Sequence, residues 1–250
     1  MTLDLIFFLF AVPAVIFAGI SKGGFGSNAS FAATPLLALI LEPAQAIGLL
    51  MPLLLLMDFS ALKPYWRKWD WPASVALMVG GVPGVLAGVA LFKVADPDVF
   101  RLLIGVIAIG FVLFQVGRGR GLIPMARRPL SERWGLLFGA LSGFTSFVSH
   151  AGGPLAAVYL LSKPISKTAY QATTVITFTV VNVMKLTAYL AIGVFDSSMV
   201  MANIYLAPAA VLGVWLGVVM HRAMPERWFF GVTYVLLLIT GSKLIWDALS

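Results

Sequence analysis

Lys22, Asp58, His150, Asn182 and Lys185 are the side chains of this chain best suited to do chemistry, because each interrupts or ends a long run of apolar residues. An ionisable group at membrane depth is costly unless it is paired or hydrated, so each is a functional candidate by default. Two lysines and a histidine suit an anion, whereas one interior aspartate with two lysines is not the histidine or carboxylate cluster that a metal cation needs. Asn182 and Lys185 are three apart and share one helix face. Asp58 precedes Asn182 by 124 residues, an offset that also pairs Tyr65 with Tyr189. His150 can donate hydrogen bonds to an anion or carry a proton, and Asp58 is the other interior group able to carry one. The plainer alternatives are a hydrogen bond from His150 to a nearby carbonyl, and an ion pair between Asp58 and Lys185 that holds two halves together.

Two glycine-rich turns accompany these residues. The first reads Ser21-Lys22-Gly23-Gly24-Phe25-Gly26-Ser27-Asn28, and the second runs Ser146-Phe147-Val148-Ser149-His150-Ala151-Gly152-Gly153-Pro154. Ser27 or Asn28 is a good helix N-cap and Pro154 suits a first helical turn, so a helix is predicted to begin at each tip. The free N–H groups and positive dipole ends of such helices attract an anion. Glycine lets backbone amides approach a ligand, and the hydroxyls of Ser27 and Ser149 add donors. Lys22 has a second reading, in which the first hairpin crosses completely and Lys22 marks its cytoplasmic end. Thr173 and Thr177 bring hydroxyls to the helix of Asn182, where Thr is also a common helix contact.

These residues must be held by membrane helices. Of the 250 residues 60% are apolar and 11% charged, enough for about eight to ten crossings of roughly 20 residues each and too little for an appended catalytic or nucleic-acid-binding domain. Cysteine is absent, which excludes disulfides and thiolate metal sites. The first apolar run has Asp4 where a cleavable signal would be basic, and it reads as the first membrane helix. Ten helical segments are predicted, over 3–20, 29–41, 44–62, 72–92, 98–116, 134–147, 154–161, 168–192, 199–220 and 228–248. Segments 29–41 and 154–161 rise only about 20 and 12 Å, short of a hydrocarbon core of about 30 Å, and they suggest broken helices.

The interruptions recur. Gly23-Gly24 returns 129 residues later as Gly152-Gly153, and Gly84-x-x-x-Gly88 returns as Gly213-x-x-x-Gly217. The predicted fold is therefore an all-α integral membrane protein of two inverted repeats, each a broken or re-entrant hairpin followed by three transmembrane helices. Residues 1–117 form the first repeat, 118–133 a basic cytoplasmic linker and 134–250 the second repeat. Alternating sides along the chain gathers Lys63, Arg67, Lys68, Arg118, Arg120, Arg127, Arg128, Arg133, Lys163, Lys167, Arg222 and Arg227 on one face, 12 of the 17 basic residues. Lys93, Arg101 and Lys243 fall on the other with most of the acidic loop residues. The positive-inside rule makes the first face cytoplasmic and leaves both termini outside, and the two tips then approach each other near the midplane.

The run Gly143 to Pro154, followed by Tyr159-Leu160-Leu161, Ala172-Thr173 and Asn182-x-x-Lys185, resembles the TauE/SafE family of sulfite exporters. The repeated architecture and the Ser21 to Gly26 tip fit the same family, so the resemblance spans essentially the whole chain. It implies a secondary transporter that moves sulfite, sulfoacetate or a related small sulfur anion across the bacterial cytoplasmic membrane, in the export direction, by alternating access. The expected substrate-binding set is Ser21, Lys22, Gly23, Gly24, Gly26, Ser27, Asn28, Ser149, His150, Gly152, Gly153, Asn182 and Lys185, with His150 and Asp58 for proton coupling. The expected partners are the anion and the lipid bilayer, with no nucleic acid, obligate protein partner, cofactor or metal. A passive anion channel is one alternative. An intramembrane hydrolase using Ser146 or Ser149 with His150 is another, although no third residue orients the pair as a nucleophile and its base require.

Overall fold

The computed structural model describes residues 3–25, 29–123, 129–223 and 226–250, with the side chains of 221–223 and 226–229 outside the description. The described residues form α1 (Leu5–Gly24), a short 3-10 turn (Ser30–Ala32), α2 (Ala33–Leu37), α3 (Pro43–Tyr65), α4 (Trp71–Val94) and α5 (Pro97–Gly119). After these come α6 (Glu132–Ser149), α7 (Gly153–Leu160), α8 (Lys167–Ala191), α9 (Ser197–Ala223) and α10 (Glu226–Leu249), with no strand among them. All except α2, α6 and α7 include a stretch long and apolar enough to cross a membrane. Large apolar side chains such as Leu113, Trp215 and Ile239 point outward from them, as lipid-facing helices require.

Local chemistry explains the helix starts. Asp4 accepts the Phe7 N–H at 2.8 Å, Asp70 that of Ala73 at 2.9 Å, Asp96 that of Val99 at 3.0 Å and Asp196 that of Met199 at 2.9 Å. Each occupies the capping position where a side-chain oxygen satisfies an otherwise orphaned amide. The Ser198 hydroxyl and the Met199 amide hold the Asp196 carboxyl below its ordinary range. Proline in the first turn of α3, α4, α5 and α7 uses positions that need no N–H donor. These four loop aspartates are therefore structural caps.

The helices pair in a pattern that the glycines make possible. α1 lies along α9 and α4 along α6. A Cβ at Gly84 would fall 2.0 Å from the Ala140 carbonyl, and one at Gly213 2.6 Å from that of Ile16, so these are close-packing steps. Gly24 lies against Gly217 and Gly19 against Gly213, while Gly84 lies against Ala140 and Gly80 against Leu136, so both pairs run parallel. α3 and α8 run antiparallel, with Gly48 near Val194 and Asp58 bonded to Asn182. α5 and α10 do so too, with Gly105 against Ile245 and Gly241 against Ile109.

Most predicted segments begin and end within three residues of the observed helices. The first hairpin differs. α1 continues to Gly24 instead of stopping at Ile20, because the small residues Gly23 and Gly24 sit against α9, where a Cβ would lie 2.2 Å from the Val214 carbonyl and 2.3 Å from that of Gly217. Close packing along a partner helix outweighs the helix-breaking tendency of the glycine pair. The returning arm, expected over 29–41, is reduced to the 3-10 turn and the five residues of α2. Its first turn is preceded by Ala29 and has no side-chain cap.

Candidate functional site

Two helix ends build the site. α6 stops where His150 takes a left-handed conformation, φ +58°, with its N–H bonded to the Ser146 carbonyl at 3.0 Å and the Ala151 N–H to that of Thr145 at 3.2 Å. This closes the last turn in the usual way, with histidine in a position more often held by glycine. α1 ends with the Phe25 N–H on the Ser21 carbonyl at 2.8 Å, and Ser21 Oγ accepts the Ala29 N–H at 3.2 Å. Lys22 and Ser30 from the first hairpin meet His150 and Gly153 from the second around one small cavity.

A continuous hydrogen-bonded chain runs along that cavity. Lys22 Nζ donates to Asp58 Oδ1 in a fully buried ion pair. Asp58 Oδ2 accepts from Asn182 Nδ2 at 2.6 Å, and Asn182 Oδ1 accepts from Lys185 Nζ at 3.2 Å. Lys185 Nζ also reaches Ser146 Oγ at 3.0 Å and His150 Nδ1 at 2.7 Å, while His150 Nε2 lies 3.0 Å from the Ile47 carbonyl. Ile47 and Asp58 are eleven residues apart on α3, about 16 Å of helix, so the chain extends well along the interior. Burial of unpaired polar groups is expensive, and every member of this chain has a partner.

The frame around it repeats. Tyr65 OH donates to the Gly23 carbonyl at 3.0 Å, and Tyr189 OH donates to that of Phe147 at 2.5 Å. Tyr189 follows Tyr65 by the same 124 residues that separate Asn182 from Asp58, and Phe147 follows Gly23 by that offset as well. The ends of α1 and α6 are thus tied to α3 and α8 by equivalent bonds.

The cavity itself, lined by Lys22, Ser30, Ser146, His150, Gly153 and Asn182 among others, has a volume of about 10 Å³, room for about one water. Larger recesses open at opposite ends of α1 and α5. One of about 730 Å³ is lined by Gly24, Arg118, Lys163, Lys167 and Gln171, and one of about 530 Å³ by Asp4, Glu42, Arg101 and Asp247. Gln171 lies between the first recess and the cavity, its Nε2 donating to the Lys22 carbonyl at 2.9 Å.

Of the expected residues, Lys22, His150, Asn182, Lys185 and Asp58 are brought into one chain. The alternative of an ion pair between Asp58 and Lys185 is not what forms: Asp58 pairs with Lys22, and Asn182 stands between Asp58 and Lys185. Ser149 is not at the cavity: its hydroxyl donates to the Thr145 carbonyl one turn back, at 3.1 Å. Ser21 is engaged in its own turn, Gly152 gives its carbonyl to Ser142 Oγ at 2.7 Å, and Gly23 and Gly24 face α9. Gly153 does line the cavity. Gly26, Ser27 and Asn28 lie outside the described residues. Thr173 accepts the Asp70 N–H at 2.9 Å, a tie between α8 and the start of α4. Ser146 and Ser30 were absent from the expected set. Ser146 could have been found from the offset of 124 that places it opposite Lys22, whereas Ser30 carries no such sign. Among the described residues no three His, Asp or Glu side chains are grouped to hold a metal ion.

Comparisons with curated proteins and with solved structures give no match. The family model described as Sulfite exporter TauE/SafE matches residues 11–244, a span that holds α2 to α9, most of α1 and α10, and the whole hydrogen-bonded chain from Lys22 to His150. With nearly all of its length matched, the chain belongs to the TauE/SafE sulfite exporter family, and it is a multi-pass membrane protein.

Proposed function

We propose that this protein is a secondary carrier that moves a small sulfur oxyanion, sulfite or a short organosulfonate, by alternating access, with the anion held by Lys22, His150, Asn182 and Lys185 once the central cavity widens to admit it. The observation that carries the reading is the placement of two buried lysines and a histidine on the broken ends and crossing helices of two equivalent halves. Such a site attracts an anion because ammonium and N–H donors face a region shielded from water. Ser146 and Gly153 also line the cavity.

Equivalence of the halves supports inversion. α3 and α8, the helices that correspond at an offset of 124, pack antiparallel, as do α5 and α10. Antiparallel packing of corresponding membrane helices is what a two-fold axis in the membrane plane produces. The closed central cavity, with a wide recess at each end, favours a carrier over an open channel. The recess with Arg118, Lys163 and Lys167 lies on the face assigned to the cytoplasm, in the bacterial inner membrane, with both termini periplasmic. Asp58 and His150 are the groups placed for proton coupling, and outward movement of the anion is the physiological direction we assign.

Counterflow in proteoliposomes loaded with sulfite, sulfoacetate, thiosulfate, sulfate or acetate tests the reading. Saturable exchange of sulfur oxyanions, reduced by Lys185→Met in protein that remains folded, is expected. A linear, non-saturating flux would instead identify a channel, and absence of any anion movement would remove the proposal.

A further inference from the structure

With both lysines and Asp58 in their ordinary charged forms and His150 neutral, every group of the hydrogen-bonded chain is satisfied, and that arrangement gives the interior a net charge. The Ile47 carbonyl can only accept, so His150 must carry its proton on Nε2. Nδ1 is then an acceptor, and the group facing it at 2.7 Å is Lys185 Nζ. Lys185 Nζ is surrounded by three partners, Ser146 Oγ, His150 Nδ1 and Asn182 Oδ1, and an ammonium has three hydrogens to give them. Asn182 turns its oxygen to Lys185, so its NH₂ faces Asp58 Oδ2, an acceptor. The other Asp58 oxygen accepts from Lys22. The result is two ammonium groups, one carboxylate and one neutral imidazole.

Among the described residues no other buried charge balances this set. The buried charged side chains among them are Lys22, Asp58 and Lys185, and Gly26, Ser27 and Asn28, which belong to the first tip, carry no charge in the sequence. Asp58 is spent on Lys22, while the hydrogen-bond partners of Lys185 are neutral. Low dielectric disfavours an unbalanced charge far more than water does. The interior therefore lacks one negative charge, and the place where it is lacking is beside Lys185.

We propose that the site is built for one negative charge: it takes monoanions, such as hydrogen sulfite or a monosulfonate, and discriminates against dianions such as sulfate. Asp58 sets this preference, because it already cancels Lys22 and leaves a single positive charge for the substrate. This rests on the anion-carrier reading above and adds to it the charge of the cargo. Replacing Asp58 by a neutral residue of the same shape raises the site to two positive charges and shifts the preference toward dianions.

The test is competition for counterflow in proteoliposomes at constant ionic strength and pH, with methanesulfonate, sulfate and sulfoacetate as competitors, on the wild-type protein and on Asp58→Asn and Asp58→Glu. Wild type is expected to select methanesulfonate over the dianions sulfate and sulfoacetate by about tenfold or more, Asp58→Glu to keep that order, and Asp58→Asn to reduce or reverse the ratio by about tenfold, one tenfold step being about 1.4 kcal/mol. Equal or dianion-favouring competition in wild type overturns the inference while leaving anion transport standing. A folded Asp58→Asn protein with an unchanged ratio also overturns it. If Asp58→Asn does not fold, the wild-type ranking and Asp58→Glu decide. Absence of competition by any anion overturns the carrier reading itself, and the charge assignment with it.

Discussion

The two halves of the site share a frame and differ in charge. Tyr65 and Tyr189 tie α3 and α8 to the ends of α1 and α6 in the same way, and Asp58 and Asn182 meet each other at corresponding positions. The first half places a lysine at position 22 and a carboxylate at 58, where the second places Ser146 and an amide. The second half adds Lys185 at the position where the first has the buried Ala61. In the first half the positive charge is cancelled within the half. In the second it is surrounded by neutral acceptors. Two halves with the same hydrogen-bonded frame can thus bring two helix ends together while single differences between them decide where an unmatched charge remains.

That contrast can be broken most severely at the matched pair. Lys22→Met or Asp58→Leu leaves one buried charge without its partner and is expected to lower stability by about 3–5 kcal/mol, whereas the double replacement costs less than either single change. A double-mutant cycle of unfolding in detergent measures this, and additive losses would deny the pair its role. Lys185→Met removes the charge whose hydrogen-bond partners are neutral. It is expected to leave a folded protein but to reduce counterflow about a hundredfold, roughly 2.7 kcal/mol of lost substrate stabilisation.

The shared frame gives smaller effects. Tyr65→Phe and Tyr189→Phe each remove one hydrogen bond to a buried carbonyl and are expected to cost about 1 kcal/mol apiece. Unfolding midpoints that fall alike would sharpen the equivalence of the two halves, and a marked inequality would break it. The smallest change is expected at Ser149→Ala, within about 0.5 kcal/mol in stability and without effect on counterflow, because its hydroxyl serves only its own helix. Ser146→Ala, by contrast, withdraws an acceptor from Lys185, and a measurable rise in the half-saturating anion concentration is expected there.

Much of this was legible in the sequence. Long apolar runs separated by Asp, Pro and Gly marked the ten α-helices of the described residues, since the length of a membrane crossing and the chemistry of a cap are local properties. The interior polar residues could be picked out as well, because in an apolar chain few positions tolerate them. Gly23 and Gly24 were misread as an open turn because their fate depends on α9, whose backbone approaches closely enough to reward the lack of a side chain. Ser149 and Ser146 are three residues apart on the same helix, and only the left-handed turn at His150 and the position of Lys185 decide which hydroxyl meets the site.

Composition and patterning determined the solvent, the helical segments and the short set of side chains from which a site could be made, all of which depend on residue type and spacing along the chain. Tertiary structure decided the pairing: Lys22 with Asp58 instead of Asp58 with Lys185, and His150 locked by Ile47. Those choices depend on distances between residues more than thirty positions apart, and such distances arise only when α1, α3, α6 and α8 pack together.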